Sequence, residues 1–311
     1  MLSVYILLFI AGAFLGSFLN LVSDRLPKGE KIVFGRSRCD YCKKDLKPSN
    51  LIPIFSFIIQ KGKCSFCGKK LSFYYIFSEI LTGLMFVSAG YLSGIVHTQS
   101  ISSYILLFFY IITFSFFVTM FLTDLKFFLI LDVLVLPAIL FVFLSSVAVR
   151  VVDLASLHHS LSLDKFGVYL IKSGYWTNQV IYSLRDIEYM VICAMAVSLF
   201  FLFLVLITKG RGMGYGDVKL GFLIGLLNSM PLSYGTSAVT RYMYVASAMF
   251  LSFILGAIYS LFLILMKRKK MGDTIAFGPF LIMGSTIILL FGEIFVNWYI
   301  TAGGIGTLLG I

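Results

Sequence analysis

The stretch that decides the fold is SYILLFFYIITFSFFVTMFL, Ser103 to Leu122. It carries no charged side chain over about 20 residues, which is the length of helix that crosses roughly 30 Å of hydrocarbon. Membrane-spanning segments must satisfy their own backbone hydrogen bonds, and the strict alternation that marks a β-barrel strand is absent. The stretch therefore predicts a transmembrane helix.

The composition of the whole chain leads to the same interpretation. Of 311 residues, 59% are hydrophobic and only 13% are charged, and a soluble domain of this size could not cover so much apolar sequence with polar surface. We predict an all-α polytopic membrane protein with about eight transmembrane helices, of which the sixth is the shortest. These helices are expected near 2–22, 73–95, 103–122, 128–149, 189–207, 218–233, 242–266 and 276–299.

The first of these segments could be a secretory signal peptide, because Ala11, Gly12 and Ala13 resemble a small-residue cleavage site. However, no basic residue precedes the segment, and the apolar run continues to Val22. We expect a retained helix.

Lysine and arginine predict the topology. Four connecting segments hold 20 of the 25 Lys and Arg residues, and they lie on one side if the N-terminus is outside: 23–72, 123–127, 208–219 and 267–273. Cytoplasmic loops carry such an excess. The net charge of +11 is then explained by topology and by attraction to anionic membrane lipids, and no basic stripe interleaved with aromatic residues indicates a nucleic-acid partner.

Three aspartates lie at or near predicted helix ends. Asp124 closes the third span, Asp217 opens the sixth, and the topology puts both at the cytoplasmic edge of the membrane. If the helix were continuous, Asp132 would lie about 12 Å deeper than Asp124, and a charge at that depth is a functional candidate. The simpler interpretations are that Asp217 favours a helix N-terminus and that Asp124 is a solvated turn residue.

Two carboxylates a few ångströms apart do not both ionise easily, so one keeps its proton while the other acts as a base. Such a pair can activate water against a peptide carbonyl and protonate the leaving amine. The sequence contains neither the G-x-S-x-G nor the H-E-x-x-H motif of other hydrolases. The stretch GRGMGYGDVKL, 210–220, adds glycines that let a substrate backbone approach closely or let the loop adopt positive φ.

Four cysteines form a second constellation. Cys39 and Cys42 make one C-x-x-C pair, Cys64 and Cys67 make another, and 21 residues separate the pairs. This spacing predicts a closed, structural four-thiolate zinc site. A disulfide is a weaker interpretation, because the cytosol keeps thiols reduced, and we expect the fifth cysteine, Cys193, to be a packing residue.

In combination, the segments GSFLNLVSDRLP, RSRCDYC, LIPIFSF, KGKCSFCGKKLSFYYIFSEILTG, DLKFFLILD and GMGYGDVKLG resemble the prepilin peptidases, which are membrane aspartic proteases of the GxGD type. The resemblance covers roughly 11–95, 118–140, 205–227 and 273–285. It departs at Ile130-Leu131-Asp132, where the family often has Ile-Pro-Asp.

The resemblance implies that Asp124 and Asp217 are the catalytic pair, with Gly214, Gly216 and Lys219 in the G-x-G-D-x-K pattern and Asp132 in a supporting place. The family cleaves the leader of type IV prepilins and pseudopilins in the bacterial inner membrane. Many members also methylate the new N-terminus with S-adenosylmethionine. Such a cofactor site would have to be built by the zinc module and nearby helix ends. Glu79 is a candidate member, although it could simply hydrogen-bond within the bundle.

The expected organisation is a first transmembrane helix at 1–22, a cytoplasmic four-cysteine zinc module at 23–72 and a transmembrane aspartic peptidase domain at 73–311. An outer loop, Ω-like or interfacial, is expected at about 150–188. Two other functions are consistent with the residues: a cation transporter lined by the three aspartates, or a noncatalytic scaffold for pilus or secretion assembly. No convincing inverted repeat supports the transporter.

Overall fold

A computed structural model describes residues 2–32, 37–39, 41–210, 213–230, 238–270 and 273–302. This part of the chain is helical and contains no named strand, only two isolated bridges in the cysteine-bearing segment. The helices are α1 Leu2–Arg25, α2 Phe55–Ile59, α3 Phe73–Leu92, α4 Ile101–Phe127, α5 Asp132–Ser162, α6 Lys165–Lys172, α7 Tyr175–Ile207, α8 Tyr215–Asn228, α9 Ala238–Leu265 and α10 Gly278–Ala302.

Seven of the described helices are long and apolar enough to cross a membrane: α1, α3, α4, α5, α7, α9 and α10. The chain is a multi-pass membrane protein, as its composition predicts. The predicted sixth span is instead α8, whose 14 residues reach only about 21 Å at roughly 1.5 Å per residue. Pro231 follows shortly after in the sequence, and a helix usually ends before a proline.

The helices divide into two compact units, Met1–Leu134 and Val135–Ile311. This packing division falls inside the segment 73–311, for which we predict a single peptidase domain.

In the first unit, α1 packs closely on α3 because glycines face the contact. A Cβ added at Gly12 would lie 2.7 Å from the Thr82 carbonyl oxygen, and one added at Gly16 would lie 2.7 Å from Thr82 Oγ1. Small residues four positions apart let two helix backbones approach closely, as in membrane helix pairs. The close approach sets the position of α3 beside the polar end of α1.

In the second unit, α7 and α8 make a similar contact. A Cβ at Gly225 would lie 2.7 Å from Ala194 Cα, and one at Gly221 would lie 2.5 Å from the Phe201 ring. Because Gly221 and Gly225 have no side chains, one face of α8 packs directly against α7. This contact holds the helix that carries Asp217.

The connection at 150–188, for which we expect an Ω-like or interfacial loop, is helical in the structure and therefore not an Ω-loop. It consists of the ends of α5 and α7 with the short helix α6 between them. Its charges are paired: Asp186 accepts from Arg150 Nη2 at 3.3 Å and also binds Arg241, whose side chain is 4% exposed. Removing one partner would leave an uncompensated charge on a largely buried side chain.

Candidate functional site

Asp124 lies in the last turn of α4. It is only 5% exposed, so it is not the solvated turn residue of the simpler interpretation. The helix ends just beyond it, where Phe128 adopts a left-handed conformation and donates its N–H to the Asp124 carbonyl at 3.0 Å. The C-terminal end of a helix carries partial negative charge, which repels a carboxylate. Burial of a carboxylate at this end therefore needs a reason other than helix stability.

Asp217 lies at the opposite kind of helix end, in the first turn of α8. Its Oδ2 accepts a hydrogen bond from the Gly214 backbone N–H at 3.2 Å, so the simpler interpretation as a helix cap is confirmed. The side chain is 8% exposed. This burial raises the pKa of the Asp217 carboxyl from 3.8 to about 6, although the Gly214 N–H partly opposes the shift.

Asp132 begins α5, and α4 and α5 do not form one continuous helix. Phe128 adopts a left-handed backbone conformation, which ends α4 and changes the direction of the chain before α5. The depth of about 12 Å for Asp132 depended on a continuous helix, and this condition is not met; Asp132 is exposed at the start of α5.

The glycine loop is described in part, since Arg211 and Gly212 lie outside the described residues. Positive φ occurs at Gly210, with φ of +72°. Gly214 has φ of −89°, and a Cβ added there would meet no atom closer than 3.9 Å. Neither backbone conformation nor internal crowding therefore requires glycine at position 214, and the residue is exposed.

The four cysteines come together between α1 and α3. The Sγ atoms of Cys39, Cys42, Cys64 and Cys67 all lie within 4.8 Å of one another, and none of these cysteines forms a disulfide. Tetrahedral zinc with Zn–S distances of about 2.3 Å needs sulfur atoms about 3.8 Å apart. The cluster could hold zinc, as the spacing of the two pairs predicts.

The two cysteine turns repeat one geometry. Lys43 donates its N–H to the Cys39 carbonyl at 2.9 Å, and Gly68 donates its N–H to the Cys64 carbonyl at the same distance. Both residues have positive φ, +55° at Lys43 and +67° at Gly68, which explains the glycine at position 68. In the second turn, the N–H groups of Phe66 and Cys67 lower the pKa of the Cys64 thiol from 9.0 to about 7, whereas burial and the neighbouring thiols raise the pKa of Cys67 to about 11. Cys64 is therefore the thiol of this turn that more readily supplies the thiolate a metal needs.

Glu79 connects α3 to the cysteine-bearing segment. Its Oε2 accepts the Ile54 backbone N–H at 2.7 Å, and its carboxylate also binds the Ser17 hydroxyl of α1. Ile54 has φ of +62°, a conformation that non-glycine residues rarely adopt. Glu79 therefore holds a strained turn of the segment against the membrane helices.

The structure thus brings the four cysteines together and places Glu79 beside their segment, within the first unit. Asp124 belongs to the first unit and Asp217 to the second, and each is buried at a helix end. Sequence reasoning missed Asn20 of α1, which is 3% exposed and lines the same cavity as Glu79. The sequence did contain a signal for this residue, because Ser17, Asn20 and Asp24 recur at helical spacing on an otherwise apolar helix.

Comparison with known proteins agrees with this arrangement. A prepilin leader peptidase/N-methyltransferase from Bacillus subtilis strain 168 is 30% identical over 294 residues, covering 94% of this chain and 97% of that protein. The chain belongs to the prepilin leader peptidase/N-methyltransferase family. A relative of the same name from Pseudomonas aeruginosa is 26% identical, covering 94% of this chain and 92% of its own length. One from Myxococcus xanthus is 41% identical over 81 residues, covering 26% of this chain and 24% of its own length.

The family model described as "Bacterial Peptidase A24 N-terminal domain" matches residues 10–92. This range contains most of α1, the cysteine-bearing segment and α3. No solved structure matches the chain.

Proposed function

We propose that this protein removes the leader peptide of type IV prepilins or pseudopilins at the cytoplasmic face of the inner membrane and N-methylates the new N-terminus. Membership of the family supports both activities, and the relatives carry both in their name. The observation that best supports the peptidase activity is the burial of two aspartates at the ends of two apolar helices. Asp124 is 5% exposed and Asp217 is 8% exposed. Nothing in the described part of the chain favours a transporter or a scaffold.

Asp124 and Asp217 are the proposed catalytic pair. One carboxylate takes a proton from water as the water attacks the scissile carbonyl, and the other, protonated, donates its proton to the departing amine. The raised pKa of Asp217, about 6, suits a group that must exchange protons near neutral pH. Because the two carboxyls would titrate as a pair, the base is assigned to the pair and not to one residue.

Gly214 and Gly216 are the proposed places where an extended leader backbone approaches. At position 214, an open, exposed glycine whose own conformation does not require glycine leaves space for an incoming chain. Lys219 lies two residues after Asp217 on α8, and Asp132 begins α5. We propose both as residues that support the catalytic pair.

The proposed cofactors are zinc and S-adenosylmethionine. The cluster of Cys39, Cys42, Cys64 and Cys67 offers four soft thiolate ligands, so zinc there would fold the segment and leave no open position for catalysis. S-adenosylmethionine would supply the methyl group for the second activity.

The proposed topology puts the N-terminus outside and the zinc module, Asp124 and Asp217 on the cytoplasmic side. The 20 Lys and Arg residues of the four connecting segments support it, because cytoplasmic loops carry this excess and attract anionic lipids. Prepilin substrates would enter laterally from the bilayer, where contacts between small residues let helices associate.

The test is leader removal from a co-expressed prepilin, followed by mass, for wild type, Asp124→Asn and Asp217→Asn at equal membrane abundance. Asp164→Asn is the matched control, because Asp164 is an exposed aspartate preceding α6. We expect loss of cleavage in the first two variants and full cleavage in the control. Cleavage at the wild-type rate by either variant would contradict the aspartic mechanism, and a prepilin that is cleaved but never gains the mass of a methyl group would contradict the second activity.

A further inference from the structure

The cysteine-bearing segment contains a stretch without charge, LIPIFSFII at 51–59, although the segment 23–72 around it holds 12 lysines and arginines. Several side chains of this stretch are not covered by the fold. Phe55 is 67% exposed, Ile58 is 62% exposed and Ile59 is 77% exposed. A contiguous apolar patch on a module that faces water is unusual and marks a surface that binds something.

The exposed apolar side chains lie on one face of α2. Phe55, Ile58 and Ile59 stand at positions i, i+3 and i+4, which are neighbours on a helix surface. The other face is polar, because Ser56 and Gln60 line the cavity described above. The helix is therefore amphipathic, with its polar face turned towards the protein and its apolar face turned away from it.

The contacts of α2 put it at the level of the membrane helices. Ile54, just before α2, donates its N–H to Glu79 Oε2 at 2.7 Å. Glu79 lies six residues into α3, about 9 Å along the helix axis, and α3 is one of the helices that can cross a membrane. The Phe57 ring packs on the ring of Phe73, the first residue of α3, with centroids 5.5 Å apart. Helix α2 thus lies beside the first turns of a transmembrane helix and not beyond its end.

The backbone of this stretch finds its hydrogen-bond partners within the protein. Ile54 donates to Glu79, and Ser56, Ile58 and Gln60 each donate to a carbonyl four residues earlier at 3.0–3.1 Å. Backbone groups without partners are not tolerated in lipid. These N–H groups can therefore leave water without losing a hydrogen bond.

Cations flank the apolar stretch on both sides. Lys47 precedes it, Lys61 and Lys63 follow it, and all three are exposed. Lysine side chains can lie along an apolar surface while their ammonium groups reach the polar interface. Helices that lie in the plane of a membrane surface combine an apolar face with such cations. The pattern fits one partner, a bilayer surface, whose acyl chains accept the apolar face and whose phosphates accept the ammonium groups.

We propose that α2 is a wedge inserted into the leaflet at which α3 begins, with Phe55, Ile58 and Ile59 among the lipid acyl chains. Lys47 and Lys61 contact the phosphates of the same leaflet. The wedge fixes the zinc module to the bilayer surface between α1 and α3, so that the module is not suspended in the cytosol. This inference goes beyond the proposed function and depends on neither activity. The proposed topology makes the leaflet the cytoplasmic one.

The test places a single tryptophan on α2 and measures what surrounds it. The tryptophans of the chain, Trp176 and Trp298, are changed to phenylalanine, and Phe55→Trp or Ile59→Trp is introduced. Each full-length protein is reconstituted in vesicles of phosphatidylcholine and phosphatidylglycerol, with or without phosphatidylcholine that carries a doxyl quencher near its headgroup. Acrylamide serves as the aqueous quencher. Thermal unfolding shows which variants are folded, and two positions keep the test available if one variant does not fold.

The matched control is Tyr41→Trp in the same background, because Tyr41 is an aromatic residue of the first cysteine turn and is 57% exposed. We expect the doxyl lipid to quench the α2 tryptophans at least twofold more strongly than the tryptophan at position 41, and acrylamide to give the reverse order. Strong quenching by acrylamide without quenching by the doxyl lipid on α2 would overturn the insertion. Protection of the α2 tryptophans from both quenchers would also overturn it, because protein would then cover this face.

Discussion

The two units each contribute one buried aspartate, but they hold it at opposite kinds of helix end. Asp217 lies in the first turn of α8 and caps it through the Gly214 N–H, where the partial positive charge of the helix favours a carboxylate. Asp124 ends α4, where the helix offers no such support. The units also differ in their other features, since the cysteine cluster and the cavity lined by Asn20 and Glu79 both belong to the first unit.

This difference teaches how the two proposed activities divide. The cysteine cluster lies entirely in Met1–Leu134, whereas the catalytic pair proposed for leader removal takes one aspartate from each unit. A defect confined to the cysteine-bearing segment should therefore separate the activities. A defect at either aspartate should stop cleavage, but the two aspartates should differ in their effect on stability.

The largest expected effect comes from the aspartates themselves. Asp124→Asn and Asp217→Asn should each slow leader removal by about 10²–10⁴-fold, the usual contribution of a general acid or base. At pH 4, where the buried carboxyl is protonated, Asp217→Ala should in addition lower the free energy of unfolding by about 1 kcal/mol through loss of the α8 cap, whereas Asp124→Ala loses no cap. Cleavage assays and thermal unfolding in detergent measure the two effects. Equal destabilisation by both alanine variants would contradict the expected difference between the two helix ends.

The second prediction contrasts a thiol from each unit. Cys39→Ser should reduce bound zinc from one ion per chain to nearly none, because a four-thiolate site loses a ligand, and methylation should fall more than leader removal. Cys193→Ser, a buried cysteine of α7, should leave the metal content unchanged. Elemental analysis of the purified proteins measures zinc. Full metal content in Cys39→Ser would argue against the cluster as the metal site.

The third prediction concerns pH. The pKa of Asp217 is 3.8 when unfolded and about 6 when folded, so folding disfavours its charged form. Relative to Asp217→Asn, wild type should be most stable below pH 4, lose stability as the pH rises towards 6 and change little above that. The full difference is of the order of 3 kcal/mol, at about 1.4 kcal/mol for each pKa unit. Unfolding temperatures of both proteins from pH 4 to pH 8 test it, and a constant difference across this range would exclude the raised pKa.

The smallest expected effect separates two glycines of the second unit. Gly225→Ala places a Cβ 2.7 Å from Ala194 Cα, so α7 and α8 must move apart at a cost of about 1–3 kcal/mol. Gly214→Ala meets no atom closer than 3.9 Å and should change stability by less than about 0.5 kcal/mol. It should nevertheless slow leader removal if a substrate backbone passes there. A Gly214→Ala variant with unchanged cleavage would remove Gly214 from the proposed substrate path.

Local patterns predicted the elements well. The spans near 103–122 and 189–207 coincide with parts of α4 and α7 because their apolar runs are long and uninterrupted. The spacing of the cysteine pairs predicted their convergence, since two C-x-x-C turns can present four thiolates to one point only by folding together. The length of α8 and the helical connection at 150–188 were harder to predict, because packing and charge pairs such as Arg241 with Asp186 decide where those helices end.

By itself, the sequence determined that the chain spans a membrane and which family it belongs to, and it supplied the candidate residues for the chemistry, because hydropathy, charge and motif spacing are local properties. Only the tertiary structure decided that Asp124 is buried, that Gly214 is glycine for no internal reason, and that Asn20 and Glu79 face one cavity. Burial and the meeting of side chains depend on how distant helices pack. In this protein the packing of α1 on α3 is set by Gly12 and Gly16, whose missing side chains bring the two helices together.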